Sequence, residues 1–430
     1  MSSILTNNSA TAALQTLKGI NRQMGTVQNQ ISTGKRVSSA KDNAAVWAIS
    51  KAMESDVAGF KKVSESLSLG QATISVARQG AETVTELLTQ VKEKIVSAQE
   101  ENVDRDKIQT DIAALRDQVS AVVGAAQFNG QYMLQNTSTT ANSGGINVLA
   151  SIDRSFDGVT SSDIRVVKQD LGTGSSEIGA SLTALTGAAN NVAGDGDGAA
   201  FLLTGAATAP TATSTFGTAA TGTVAAGTAF SIAISGSAGG GLTNTSDRND
   251  ISFVAREGDT YADVVEGLAA SFNAYVAEEL GSGTSVGASA SGNTLTMTGH
   301  DSTGPNFSMI VNEYAASSDT TIGGRLAALS DVDVSTQAGA DAALASIDGL
   351  INIAIDSAAA FGSAEMRIES QKDFVSGLTD ALKSGIGTLV DADMEATSAR
   401  LQALQVQQQL GIQAMSIANS APQSLLGLFR

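Results

Sequence analysis

The side chains that could support acid–base, metal or nucleophilic chemistry are few in this chain and stand apart from one another. His300 is the single histidine among 430 residues, and it lies between Gly299 and Asp301. A zinc protease needs two histidines on one helical turn, and a Ser–His–Asp hydrolase brings a nucleophile-elbow motif that is missing here. We therefore interpret His300 as a solvated loop histidine.

The acidic pairs and the glycine run are no better as sites. Asp391 and Asp393, like Glu100 and Glu101, flank linkers or helix ends, where helix-start stabilisation or solvation explains them better than acid–base work. Glycines 239–241 are not followed by the Lys–Ser/Thr pair of a phosphate loop. The chain has no cysteine, which excludes disulfides and thiolate chemistry. The sequence predicts no enzyme, no metal and no cofactor.

The composition limits the classes of partner that the chain could bind. The formal net charge is −18, and no basic stripe is present to neutralise phosphates, so we expect no nucleic acid. We find no apolar run near the roughly 18 residues that span a bilayer, and we expect no membrane partner. The start of the chain lacks the basic and apolar regions of a cleaved signal, so we expect any export to use another route.

The two ends of the chain resemble each other in composition. Residues 1–41 contain no acid, and residues 396–430 contain none either, with Arg400 and Arg430 as the only charges there. Both ends carry helix-spaced apolar residues among Gln, Asn, Ser and Thr. We predict that they form helices that pack on each other and on other copies of the chain.

Apolar spacing of three and four residues predicts long helices in both halves. A first helix stops at Gly34. A rod of about 80 Å then runs from Val46 to Ile95, and its heptad pattern is interrupted at Asp56 and Gly70. A helix over 108–122 folds back on it, and Asn129–Gly130 predicts a hairpin. The heptad pattern returns from Leu344, continues less cleanly to Met415 and ends at Ala421–Pro422.

The middle of the chain, rich in Gly, Ala, Ser and Thr, predicts a β-rich region. Strands are expected at 164–167, 230–234 and 295–297, and residues 206–228 are expected to be loop or irregular β-structure. Residues 249–276 predict a strand, a turn and a helix that buries Val264, Leu268 and Phe272. The fold class is therefore α+β, with long antiparallel coiled-coil-like helices from both termini and a β-rich outer domain inserted between them.

Three motifs are similar to those of a known family. The segment NQISTGKRVSSAKDNAAVWAIS, the turn AAQFNGQYML and the C-terminal stretch DADMEATSARLQALQVQQQLGIQAMSIANSAPQSLLGLFR resemble bacterial flagellin, in the family's order. The resemblance covers about residues 1–150 and 340–430. It also extends, more weakly, to the β–α insert found in many flagellin outer domains.

The resemblance implies a self-polymerising structural subunit of the extracellular flagellar filament, which serves swimming. Its partners would be further copies of itself, an export chaperone, the filament cap and hook-junction proteins, and it would leave the cell unfolded by flagellar type III export. The ends would be disordered in the monomer and helical in the filament. The implied domains are an inner-tube helix and linker at 1–41, a rod with a hairpin at 42–150, a surface domain at 151–340, a second rod at 341–390 and an inner-tube helix at 391–430.

Two sets of residues are predicted to matter for interactions. The polymerisation seams are assigned to apolar residues at helical spacing in the two ends: Leu17, Ile20, Met24, Val27, Ile31, Met394, Leu401, Leu404 and Met415. Where receptor-activating relatives carry an Arg followed by Val-Arg-Glu-Leu, this chain has Thr83, Thr85, Glu86 and Leu87 around Val84. Because both arginines are replaced, we expect weak recognition by the innate receptor for this family.

Alternatives stay open at this point. A hook–filament junction protein would share the terminal rods and the export route, although the full C-terminal motif from Pro422 to Arg430 favours the filament subunit. A soluble coiled-coil signalling protein or a secreted enzyme fits less well. Ser and Thr in the outer insert are expected either to carry O-linked glycans or to be unmodified.

Overall fold

A computed structural model describes residues 7–140, 142–155, 158–182, 184, 191–192, 199–238, 242–280, 284–317 and 319–428. The chain forms two compact units. The first comprises Met1–Glu65, Ser151–Thr160 and Lys372–Arg430, and the second comprises Ser66–Ala150 and Ser161–Gln371. Long helices at both ends of the chain flank a β-containing middle, so the predicted α+β class is confirmed.

The helices begin and end at α1 Asn8–Thr33, α2 Ala44–Ala98, α3 Arg105–Ala125, α4 Tyr261–Leu280, α5 Gln337–Val390 and α6 Met394–Leu428. Helix α1 ends at Gly34, whose φ of 69° lies in the left-handed region that favours glycine, as the sequence predicted. Helix α2 runs without a break through Asp56 and Gly70.

Gly70 has a packing role rather than a helix-breaking one. A Cβ at this position would lie 2.6 Å from Cγ2 of Val148 on strand β3 (Gly145–Ser155), which pairs with β4 (Gly158–Val167). The missing side chain therefore gives the strand room to lie directly on the helix.

The second unit contains a helical core and a hairpin. Buried apolar residues recur at helical spacing along α2, α3 and α5; examples are Ile74, Leu88, Ile112, Val119, Ile347 and Phe361. Arg78 bonds to Glu365 at 2.8 Å across the α2–α5 pair. The predicted hairpin is confirmed: β1 (Gln127–Phe128) pairs with β2 (Gln131–Tyr132), and Asn129 and Gly130 both have positive φ, as a type I′ turn requires.

The β-rich region has strands β5 Asn191–Val192, β6 Ala199–Thr204, β7 Thr211–Phe216, β8 Ala229–Ala238, β9 Ser252–Val254, β10 Gly287–Ser291, β11 Thr294–Thr298 and β12 Asn306–Tyr314. They form two four-stranded sheets, in the orders β10-β11-β7-β5 and β6-β12-β8-β9. Helix α4 closes their shared core with Val264, Leu268 and Phe272, all fully buried as predicted.

The three predicted strands are confirmed as parts of β4, β8 and β11. The expectation for residues 206–228 is wrong at 211–216, because β7 is a regular strand paired with β11. Its alternation of Thr and Ala gives little hydropathy contrast, and only its end at Phe216 is strongly apolar.

Two other local predictions need correction. His300 lies in a loop but is only partly exposed: its Nε2 is buried, and its ring packs edge-on against Phe307 with centroids 6.0 Å apart. Pro422 does not end the last helix, since α6 continues to Leu428. Proline has no amide hydrogen, so the carbonyl of Ala418, four residues earlier, lacks its helical donor. This carbonyl accepts from Asn7 Nδ2 at 2.8 Å instead.

Within the described residues one helix, α5, is long and apolar enough to cross a bilayer by length and composition, a test that core helices of water-soluble proteins also pass. The same residues hold no group of three or more His, Cys, Asp or Glu side chains placed to bind a metal ion.

One buried ion pair stabilises the β-rich region. Arg256 Nε lies 2.8 Å from Asp170 Oδ2, and both side chains are almost fully buried. We expect Asp170→Ala to lower the free energy of unfolding of the second unit by about 3 kcal/mol, because a buried guanidinium loses its nearer carboxylate and keeps only Asp259 Oδ2 at 3.7 Å and the Gly323 carbonyl. Urea unfolding of the full chain would measure this. Lys107→Ala, which removes an exposed pair with Asp104, is the control and should leave the curve nearly unchanged; equal effects would contradict the prediction.

Candidate assembly interface

Helices α1 and α6 lie side by side in opposite directions in the first unit. The start of α1 is near the end of α6, where Asn7 Nδ2 donates to the Ala418 carbonyl at 2.8 Å. Midway, Gln408 Nε2 donates to Asn21 Oδ1 at 2.8 Å. At the other end the Ala392 amide donates to the Gly34 carbonyl at 2.9 Å. These contacts fix an antiparallel pair.

The predicted seam residues all lie on these two helices, and most of them are buried or half-buried. On α1, Val27 is buried, whereas the remaining four are half-buried: Leu17, Ile20, Met24 and Ile31. On α6, Leu404 is buried, and Leu401 and Met415 are half-buried. Met394 differs, because it is the first residue of α6 and 42% of its surface is exposed. The assignment of all nine residues to a polymerisation seam stays a prediction.

A second apolar face on α6 has no cover in the subunit. Val406, Leu410 and Ile417 are 56%, 58% and 69% exposed. At 3.6 residues per turn they lie about 200° to 240° around the helix from Leu404, on the side away from α1. We call these three residues the outer stripe. Sequence reasoning did not separate it from the seam.

The surroundings of the outer stripe are nearly uncharged. Between residues 396 and 420 the only charged side chain is Arg400, and the polar positions are mainly Gln, Ser, Thr and Asn. Such a face can be removed from water without burying an unpaired charge, which is the costly event in most interfaces. The face is therefore chemically suited to packing against another protein surface.

The linkers at the two ends of the chain form a junction that the sequence analysis missed. Helix α5 ends at Val390, and its last carbonyls would lack partners. The Arg36 amide and the Val37 amide both donate to the Val390 carbonyl, at 2.7 and 3.3 Å, and Arg36 Nη2 donates to the Leu389 carbonyl at 2.7 Å. Residue 36 thus caps a helix that ends more than 350 residues later. The only local signal in the sequence was a basic residue, Arg36, two positions after Gly34.

Short polar residues organise each linker. Asp42 Oδ2 accepts from the amides and hydroxyls of Ser38 and Ser39 at 3.0–3.1 Å, and these bonds, those from Ser39 first, lower the pKa of its carboxyl. Asn43 caps α2 through the Val46 amide. Asp393 Oδ1 accepts from the amides at 395 and 396, both at 3.0 Å, which is the helix-start role predicted for it.

The four residues predicted to face a receptor lie on α2 in the second unit. The hydroxyls of Thr83 and Thr85 donate back to carbonyls of their own helix, at 2.9 Å each. Glu86 is exposed, but Leu87 is buried and presents almost no surface. The helix surface here offers two methyl-bearing hydroxyls and one carboxylate.

Comparison with known proteins agrees with this arrangement of terminal helices. A family model described as the bacterial flagellin N-terminal helical region matches residues 4–139, and one described as the flagellin C-terminal helical region matches residues 344–429. Flagellin A of Rhizobium meliloti is 34% identical over 430 residues, covering all of both chains.

This chain belongs to the bacterial flagellin family. Another relative, the flagellin of Brucella melitensis biotype 1, is 30% identical over 431 residues and also matches along its whole length. Among solved structures, FliC from Burkholderia pseudomallei covers 69% of this flagellin and 99% of that chain, at 15% identity and a TM-score of 0.30. A score this low carries no argument about function. As a flagellin, the protein is a structural subunit of the flagellar filament and serves motility.

Proposed function

We propose that the filament is built by packing α1 and α6 of each copy against the same helices of neighbouring copies. The observation that supports this most directly is the outer stripe, since α1 covers one side of α6 and leaves Val406, Leu410 and Ile417 in water. Burying an aliphatic side chain of this size contributes about 1.5–3 kcal/mol. A second copy is the partner that a self-polymerising subunit always has at hand.

The lack of acids at the two ends fits the same proposal. Helical stacking of identical subunits brings each terminal charge close to its copies, and like charges in a low-dielectric setting repel strongly. Isolated helices with half-covered seams are marginal in water, so we propose that the ends become fully ordered only on assembly. The five-part domain division and the seam assignment, including Met394, belong to this proposal.

The partners other than further copies of the chain are proposed from its membership of the flagellin family. We infer export in an unfolded state through the flagellar type III route, with a chaperone beforehand, and assembly outside the cell under a cap and beyond the hook-junction proteins. No catalytic role is proposed.

Seeded polymerisation tests the proposed function. Purified full-length protein, mixed with short fragments of its own filaments, is expected to elongate them in negative-stain electron microscopy. Folded protein that stays monomeric with these seeds over a wide concentration range would contradict the proposal.

We also predict weak activation of the innate receptor for this family. The reason is that Thr83 and Thr85 supply no multidentate donors. The double change Thr83→Arg and Thr85→Arg is expected to raise potency in a reporter-cell assay at least about tenfold. Thr89→Arg, on the exposed side of the same helix, is the control. Full potency of the unmodified protein would refute the prediction.

A further inference from the structure

The last helix contains a proline well inside its length. Helix α6 spans Met394–Leu428, and Pro422 is the sole proline in either terminal helix. In an α-helix the amide of each residue bonds to the carbonyl four residues earlier, and proline has no amide hydrogen to give. The carbonyl of Ala418 is therefore left without its helical donor.

Asn7 supplies the missing donor from the other end of the chain. Its Nδ2 donates to the Ala418 carbonyl at 2.8 Å across a separation of 411 residues. Its Oδ1 accepts from the Ala10 amide at 3.1 Å and from the Ser9 hydroxyl at 2.6 Å, and so caps the start of α1. The orientation of the amide follows from the partners, because a backbone amide needs an acceptor and a carbonyl needs a donor.

Few side chains could do both tasks. Serine and aspartate are good cap residues, but serine is too short to reach a neighbouring helix as well, and an ionised aspartate has no hydrogen to donate. Glutamine carries the amide but is not among the favoured caps. An asparagine at the cap position combines both functions at the required distance.

We propose that Asn7 and Ala418, brought together where Pro422 leaves a carbonyl free, form a latch that holds the register of α1 against α6 at the end of the pair away from the linker junction. Apart from the Gln408–Asn21 pair, the seam repeats apolar residues at three and four, so a slide of α1 along α6 by a heptad would still bring apolar residues together. A slide would leave both the amide of Asn7 and the Ala418 carbonyl without partners, which is unfavourable in a packed environment. The latch thereby acts together with the Gln408–Asn21 bond and the Gly34–Ala392 bond to select one register.

The latch rests on the proposed packing of terminal helices in the filament. Its effect is measured as the critical concentration of seeded polymerisation. We expect Asn7→Ser to raise that concentration about five- to tenfold, since the cap remains and the donor is lost. Asn7→Asp should have a similar effect although it caps at least as well. Asn8→Ser, the same change one residue along, should have none.

Pro422→Ala separates the latch from a simple cap. Alanine restores the amide that serves Ala418, so in that background Asn7→Ser should raise the critical concentration by no more than about twofold. Equal penalties in both backgrounds, or normal assembly of Asn7→Asp, would overturn the latch. If the unmodified protein does not polymerise at all, the proposed function fails instead, so the two failures are distinguishable.

Discussion

Leu410→Asp is expected to abolish filament assembly while leaving the second unit folded. The change puts a carboxylate in the middle of the outer stripe. It forfeits about 2 kcal/mol of apolar burial and adds the cost of a buried, unpaired charge, which is several kcal/mol. Because every subunit repeats the defect, no neighbour in the filament can relieve it. Sedimentation and negative-stain microscopy of seeded samples would show the loss.

Leu202→Asp is the matched control. Leu202 lies on β6 and is 68% exposed, more than the 58% of Leu410, and the chemical change is the same. Under the proposal the β-rich region faces solvent, so this variant should polymerise normally. If neither variant forms filaments, the loss of assembly follows from placing a carboxylate at any exposed leucine, and not from the position of Leu410 on α6. If both assemble, the outer stripe is not an interface.

Removing either end is the second change with a large expected effect. Deletion of residues 1–30 takes away most of α1, and deletion of residues 400–430 takes away most of α6. Each deletion exposes the seam of the remaining helix, centred on Leu404 or Val27, and removes one of the two surfaces proposed for assembly. We expect no filaments from either chain.

The second unit gives the internal standard for these deletions. Its residues, Ser66–Ala150 and Ser161–Gln371, lie outside both deleted segments. Circular dichroism should still report a cooperative unfolding transition, and limited proteolysis should still leave a resistant fragment. Normal filaments from either truncated chain would contradict the proposed role of the ends.

The sequence was sufficient for features that depend on neighbouring residues. Helix α1 was predictable because aliphatic residues recur at three and four in a background of Gln, Asn, Ser and Thr. The hairpin at Asn129–Gly130 was predictable because a type I′ turn needs positive φ at both positions. The cap at Asp393 followed from its place at a helix start.

Features that depend on distant partners were not predictable in the same way. Helix α6 carries apolar residues on two faces, and its sequence does not say whether Leu404 or Leu410 meets α1. Gly70 looked like an interruption because Val148, which needs the space, is far along the chain. The donor that replaces the missing amide of Pro422 comes from residue 7, at the other end of the chain. The pairing of β7 is likewise set by β11 and not by its own Thr–Ala alternation.

The linker junction has a consequence for the timing of folding. Arg36 caps the end of α5 across 353 residues, so neither linker can reach its final form until both have been delivered to the same place. A chain that is cut short before residue 389 has no carbonyl there to receive the guanidinium. The N-terminal linker therefore stays without its partner until the chain has been delivered past residue 390, and a chain that ends earlier cannot form the junction.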